Sequence, residues 1–194
     1  MNYPIRIAQH DDIEQIAEIT HKEAQRSFAS VAWHDEPLNR WIDHWEKNHR
    51  LYPWMVALDP SQPLNQQVIA YAKTSPYNPR EGFNWSITLS VYVRPDYQGQ
   101  KIAHQLYQQL FRLIRTQGYL QVYARIVLPN AASIALHQRF GLQQTGLLPH
   151  FAYKNQQWLN LAIFTGCIVP DFDTAHTAPH TIISVEEAYQ KIKT

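Results

Sequence analysis

Apolar residues alternate with polar ones in several short runs of this chain and recur at helical spacing in others, so two periods divide it into elements. Ile5 to Ile7 reads as a short strand. "HDDIEQIAEITHKEAQ" follows as a helix with Ile13, Ile16, Ala17 and Ala24 on one face and Asp11 or Asp12 as its cap. In "FASVAWHDEPLNRWIDHWEKNHRLYPW", Trp41 and Trp45 stand one helical turn apart. That spacing puts Pro37 in the first turn of a second helix and both indoles in the core. "PWMVALD" and "QVIAYAKTS", separated by the turn-rich "PSQPLNQ", predict a hairpin, and alternation across "NWSITLSVYV" extends the sheet through Val93.

In "VYVRPDYQGQKIAHQLYQQL" a strand passes through a polar turn containing Gly99 into a helix bearing Ile102, Leu106, Leu110, Leu113 and Ile114, with Gly118 placed as its left-handed cap. Such a junction leaves several unpaired N–H groups pointing at one spot, with the positive end of the helix dipole behind them, which suits phosphate. A GxGxxG dinucleotide fingerprint is absent because only Gly99 is present, and no Gly-Lys-Ser or Gly-Lys-Thr makes a nucleotide-binding loop. Further on, "YLQVYARIVL" puts Leu120, Val122, Ala124, Ile126 and Leu128 on one side, and Asn130 caps a short helix that stops at Gly141. "LQQTGLLPHF" and "QWLNLAIFTG" form a further strand pair. The tail from Pro170 is rich in Pro, Thr and His until "SVEEAYQKI", where Ser184 and Glu187 have capping-box spacing before a last short helix. No internal repeat is present, and the elements together predict one α+β domain.

Composition narrows the function. The 194 residues are 45% hydrophobic and 17% charged, enough for one domain with a full core. Lys and Arg number 17 against 16 Asp and Glu, so the net charge of +1 argues against a basic nucleic-acid-binding face. Cys167 is the one cysteine, which excludes an intramolecular disulfide and a cysteine-rich zinc site and fits a cytoplasmic home. No apolar run suits a signal peptide or a membrane span, so a soluble protein with no membrane partner is expected.

The order strand, Gly turn, helix, strand, Asn-capped helix, strand, after an antiparallel hairpin, resembles the GNAT N-acetyltransferases. "SVYVRPDYQGQ", "LPNAASIALHQRFG" and "WLNLAIF" resemble the phosphinothricin acetyltransferase branch, over residues 4 to 166. The resemblance implies a single-domain GNAT fold across residues 1–166, a mixed and mostly antiparallel sheet flanked by helices, with 167–194 as a C-terminal extension. It also implies acetyl-CoA as co-substrate, no metal, a homodimer, and acetylation of a small amino-acid-like amine such as phosphinothricin or methionine sulfoximine. Two rivals stay open: a peptide or protein N-acetyltransferase, and a non-catalytic acyl-CoA-binding module.

In that family the strand matching Val91, Tyr92 and Val93 pairs with the pantetheine arm. The turn and helix start, here Gly99, Gln100, Lys101, Ile102, Ala103 and His104, cradle the pyrophosphate. Asn130 matches the asparagine that hydrogen-bonds the cofactor, and a plain helix cap is its alternative. Relatives have glycine at Lys101 and Ala103; a β-carbon at Lys101 is tolerated if φ is negative, and its ammonium either adds a charge-assisted contact or stays solvated. His137 stands where relatives place the group that protonates the departing thiolate, or is a half-buried helix residue. On the acceptor side the resemblance implies Asn78, Pro79, Arg80, Thr88, Leu89 and Ser90. Thr88 replaces the glutamate taken as general base, which leaves a water held by the Thr88 or Ser90 hydroxyl to receive the proton. Asn78 and Asn84 replace arginines of that loop, so Arg80 is the cation left there.

Overall fold

Strand β1 (Ile5–Ile7) leads into α1 (Ile13–Arg26) and α2 (Leu38–Asn48); β2 (Trp54–Leu58), β3 (Val68–Pro76) and β4 (Ser86–Val93) then run antiparallel to one another. After α3 (Ile102–Gln117) come β5 (Gln121–Val127), α4 (Ala131–Arg139), the hairpin of β6 (Gln143–Lys154) and β7 (Gln157–Cys167), and α5 (Val185–Lys193). The computed structural model describes residues 3–170, 172–173 and 178–193; part of the Pro-, Thr- and His-rich tail, residues 171 and 174–177, lies outside them. The strands form one sheet in the order β1-β2-β3-β4-β5-β7-β6, in which β4 and β5 are parallel and every other neighbouring pair is antiparallel. This is the α+β arrangement expected from the order of elements.

Alternation along the strands sorts side chains to two faces. Ile87 and Leu89 of β4, Val122, Ala124 and Ile126 of β5 and Phe164 of β7 pack under Leu106, Tyr107, Leu110, Phe111 and Ile114 of α3. On the opposite face, Val56, Val68 and Tyr71 pack against Ile13, Ile16 and Ala17 of α1 and Trp41 of α2. Each fully buried large apolar side chain contributes about 1.5 to 3 kcal/mol, so the two layers hold the strands rigidly between them. Gly118 ends α3 at φ +101°, and its position past the last turn is the one where a left-handed residue closes the helix. Val185 and Ala188 of α5 join the core on the α3 side, and the Ser184 hydroxyl accepts the Glu187 N–H at 3.1 Å.

Three local expectations are corrected. The Asp12 carboxylate does not cap α1 by accepting an amide ahead of it. It accepts the Gln9 N–H at 2.7 Å and the Arg6 guanidinium at 2.6 and 2.9 Å, because an ion pair with β1 satisfies a buried carboxylate better than one amide does. Pro37 lies just outside α2, at ψ 140°, and the first helical residue is Leu38. Trp41 is buried as expected, but Trp45 is only half-buried and stacks on His49 at 4.3 Å, since the helix face it shares turns toward the rim.

Candidate active site

The parallel pair β4 and β5 is joined at Ser86↔Gln121, Ile87↔Val122 and Thr88↔Tyr123 and no further. β4 stays on β3 as far as Val93↔Ala70, and β5 stays on β7 as far as Val127↔Leu161. The two strands therefore fork above Thr88, and the groups of β4 that face β5 lose their ladder partners. An edge of this kind can pair with an extended ligand as an added strand would.

A cavity of 810 Å³ occupies the fork, and Leu89, Ser90, Val91, Tyr92 and Val93 form its β4 wall. Gly99, Lys101, Ile102, Ala103 and His104 line its α3 end, and Asn130, Ser133 and His137 its α4 side. Gln100 is absent from the lining; its side chain accepts from the Tyr3 hydroxyl at 3.1 Å. Among the described residues, no N–H from Gly99 to His104 has an acceptor within the protein, and the first amide to bond is Gln105, to the Lys101 carbonyl at 3.1 Å. Free amides at a helix start, behind a turn with two left-handed residues, make an anion cradle.

Those left-handed residues are Gly99, at φ +78°, and Lys101, at φ +63°. The expectation of a negative φ at Lys101 is thus overturned. The turn must swing the chain from β4 into α3 within a few residues, and it imposes a conformation that costs a non-glycine residue about 1 to 2 kcal/mol. Asn130 caps α4 through its Oδ1, which accepts the Ser133 N–H at 3.1 Å, so its amide NH₂ remains available toward the cavity.

His137 is buried on α4. Its Nδ1 lies 2.7 Å from the Ser133 carbonyl, which can only accept, so Nδ1 carries the proton and Nε2 accepts from the Tyr107 hydroxyl at 3.0 Å. Burial lowers its pKa from 6.5, against the opposing effect of the Ser133 hydrogen bond. An unfolded chain takes up this proton near pH 6.5 while the folded one resists it to lower pH. Stability present above that pH is therefore expected to fall as the solution is acidified through it. Thermal melts in a pH series check this: His137→Gln should flatten the acidic fall, and an unchanged slope would move its origin to other groups.

The loop residues Asn78, Pro79 and Arg80 do not line the cavity. Arg80 is exposed, and its N–H donates to the Asn78 Oδ1 at 3.0 Å. Thr88 sits at the crotch of the fork, in the last paired position, and Leu89 and Ser90 alone of the expected acceptor residues face the cavity. The structure instead brings in groups that sequence reading missed: Glu23, Arg26, Ser27 and Phe28 from the end of α1, and Arg125 from β5. Glu23 accepts from the Arg26 Nε at 2.7 Å and the Ser27 hydroxyl at 2.5 Å. Behind them the buried Lys154 ammonium donates to the carbonyls of Ala24, Ser27 and Ser30 and pins this wall. The one signal in the sequence was a charge in mid-strand, Arg125 within "YARIVL". Lys73 gives the same signal, opposite Ser90 in the sheet, but its ammonium lies 4.6 and 4.5 Å from the Trp41 and Trp54 ring centres and off the cavity. Burial pushes its pKa down to about 8. No group of three or more metal-ligating side chains is placed to hold an ion among the described residues.

Known proteins resemble this chain in sequence and in fold. Over 137 residues the chain is 36% identical to the L-methionine sulfoximine/L-methionine sulfone acetyltransferase of Pseudomonas aeruginosa, covering 68% of this chain and 76% of that protein. Over 154 residues it is 29% identical to the phosphinothricin N-acetyltransferase of Streptomyces viridochromogenes, covering 79% and 81%. The crystal structure of a GNAT superfamily phosphinothricin acetyltransferase from Sinorhizobium meliloti, in complex with AcCoA, superposes with a TM-score of 0.84 at 26% identity, covering 94% of this chain and 96% of that one. Residues 13–142 match the acetyltransferase (GNAT) family. With that match running from the start of α1 to the turn beyond α4, and so across the whole fork and its amide cradle, the chain belongs to the acetyl-CoA-dependent GNAT acetyltransferases.

Proposed function

We propose that the protein acetylates the amine of a small amino-acid-like acceptor, of the class to which methionine sulfoximine, methionine sulfone and phosphinothricin belong. The observation that carries this reading is the continuity of one cavity from the free amides at α3 to Glu23, Ser27, Phe28 and Arg125 beyond the fork. Lys154 fixes the Ser27–Ser30 segment as a wall on the acceptor side, which supports a small molecule as the acceptor.

Bound acetyl-CoA supplies the acetyl thioester. In this reading the backbone of Val91, Tyr92 and Val93 holds the pantetheine arm, and the amides from Gly99 to His104, with the Lys101 ammonium, hold the pyrophosphate. The Asn130 amide adds a donor. His137, a neutral imidazole, is the proposed hydrogen-bond donor to the departing sulfur, through the Nδ1–H that it shares with the Ser133 carbonyl and, at 3.3 Å, the Ser133 hydroxyl, and the released thiolate takes its proton from solvent. With threonine at 88, the amine loses its proton to water held by the Thr88 or Ser90 hydroxyl.

A panel assay with acetyl-CoA tests the reading. Methionine sulfoximine, methionine sulfone or phosphinothricin should be acetylated faster than peptides with free N-termini; preference for the peptides would overturn it, and tight acetyl-CoA binding without turnover of any amine would favour a binding module. Because the one carboxylate on the cavity wall, Glu23, is held by Arg26 and the Ser27 hydroxyl and does not take the place of the missing base at 88, the rate should rise with pH until the acceptor's own amine is neutral. A free α-amine has a reference pKa of about 7.7 to 8.0. Rate profiles for two acceptors of different amine pKa should shift with the acceptor, and Thr88→Ala should cost less than about tenfold, because the hydroxyl orients water without taking up the proton. One shared inflection for both acceptors would place a titrating base in the enzyme.

A homodimer belongs to the same reading. Exposed Trp33, Phe151 and Trp158, on and beside the β6–β7 hairpin, support a second copy as their cover, and sedimentation would read the mass directly. The same reading keeps residues 1–166 as the acetyltransferase domain, 167–194 as its extension, and the cytoplasm as its compartment. Among the described residues no helix is long and apolar enough to cross a membrane.

A further inference from the structure

An α-amino acid brings a carboxylate, and the loop residues that the family resemblance assigns to an acidic group add no cation to the cavity: Asn78 and Asn84 are neutral, and Arg80 is exposed and outside the lining. The opposite strand supplies one. We propose that Arg125 of β5 anchors the acceptor's α-carboxylate and so sets a preference for α-amino acids over simple amines. The proposal rests on the small-acceptor reading above.

Strand alternation gives its direction. Val122, Ala124 and Ile126 enter the core under α3, so Arg125 projects from the other face, away from the amide cradle at the α3 start. It lines the same cavity as that cradle, from the acceptor side. Its guanidinium is exposed and makes no hydrogen bond or ion pair within the protein among the described residues. Tyr92 and Glu23 line that cavity with it, and the Tyr92 phenol, whose pKa burial raises, is pushed up further by Glu23 and drawn down by Arg125. An anion at Glu23 and a cation at Arg125 around Tyr92 match the ammonium and carboxylate of a zwitterion.

Chemistry favours arginine for this task, since a guanidinium meets a carboxylate with two parallel hydrogen bonds. Glu23 does not consume that capacity, because its oxygens are taken by Arg26 and Ser27. Two other cations lie near: Arg26 shares the cavity wall but is paired through its Nε with Glu23 at 2.7 Å, and the Lys73 ammonium is held over two indole rings outside the cavity.

The test compares L-methionine sulfone with its α-amide, which keeps the amine and side chain and removes the carboxylate. In Arg125→Ala, kcat/KM for the acid should fall about tenfold to a hundredfold relative to the amide, mainly through KM. Arg125→Lys should restore part of it, and Lys73→Met should leave the acid-to-amide ratio where it was. Acetyl-CoA affinity, measured by calorimetry on each variant, reports whether the fold and the cradle are intact. An unchanged ratio in Arg125→Ala, equal loss for acid and amide, weakened acetyl-CoA binding, or an effect confined to Lys73→Met would each overturn the assignment. A wild-type enzyme that acetylates peptides and neither small acceptor would remove the small-acceptor reading itself, and this proposal with it.

Discussion

Gly99→Asp is expected to weaken acetyl-CoA binding about a hundredfold or more in a calorimetric titration and to lower the melting midpoint by roughly 2 to 8 °C. An added β-carbon at Gly99 meets nothing within 4 Å, so packing does not oppose the change. Two other effects do. The residue holds φ +78°, which costs an L-residue about 1 to 2 kcal/mol, and the new carboxylate competes for the free amides from Gly99 to His104. It also repels the pyrophosphate: two unit charges about 4 to 5 Å apart near a protein surface interact by roughly 3 to 4 kcal/mol before salt screening. A factor of ten corresponds to about 1.4 kcal/mol, so the repulsion by itself reaches about two decades, while the strain falls on folding stability. Gly99→Ala separates the two effects, since it keeps the strain and omits the charge: it should lower the melting midpoint similarly and leave acetyl-CoA affinity within about tenfold. Unchanged affinity in Gly99→Asp would mean that the phosphates are held somewhere other than the start of α3.

Lys154→Met is expected to lower stability by about 3 kcal/mol and to raise the KM for the acceptor while acetyl-CoA still binds. The ammonium donates to three carbonyls, those of Ala24, Ser27 and Ser30, at the point where α1 gives way to the wall of the cavity. Methionine fills similar space and offers no donor, so each carbonyl must find water or stay unpaired in a buried setting, at about 1 to 3 kcal/mol apiece. Part of that loss is recovered because a buried ammonium is itself costly; burial pushes the Lys154 pKa down, and the Glu23 charge pulls it only partly back. For a chain of this size, 1 kcal/mol shifts the melting midpoint by roughly 2 to 4 °C, which puts the expected fall near 10 °C. Once the wall is loosened, Ser27 and Phe28 no longer present a fixed surface to the acceptor, whereas the amides of α3 are untouched. A melting curve superimposable on the wild type would show that the three carbonyls do not depend on this lysine.

Much of the molecule is legible before any tertiary structure is known, and the legible part has a common cause. Helix and strand periods, the Gly118 stop, the Asn130 cap on Ser133 and the Ser184 cap on Glu187 each depend on residues within a turn or two of one another. So does the junction at Gly99, where a strand, a tight turn and a helix start must leave amides without partners. What folding alone decided involves residues that are distant in sequence or conformations that the whole turn imposes. The depth of the fork is set by where β3 and β7 hold β4 and β5 apart, and that places Ser90 in the cavity and Thr88 at its crotch. Lys101 became left-handed although its own preference is otherwise, because the passage from β4 into α3 outweighs about 1 to 2 kcal/mol of local cost. Trp45, one turn from Trp41, is left half-buried because helical spacing fixes a shared face but not how far the sheet beneath it extends. Glu23, Arg125 and Lys154 come from a helix, a central strand and a hairpin end, and no spacing rule connects them. Their charges meet only because the sheet brings α1, β5 and the β6–β7 turn to one side of the fork, where burial forces each charge to take a hydrogen-bonding partner or to face the open cavity.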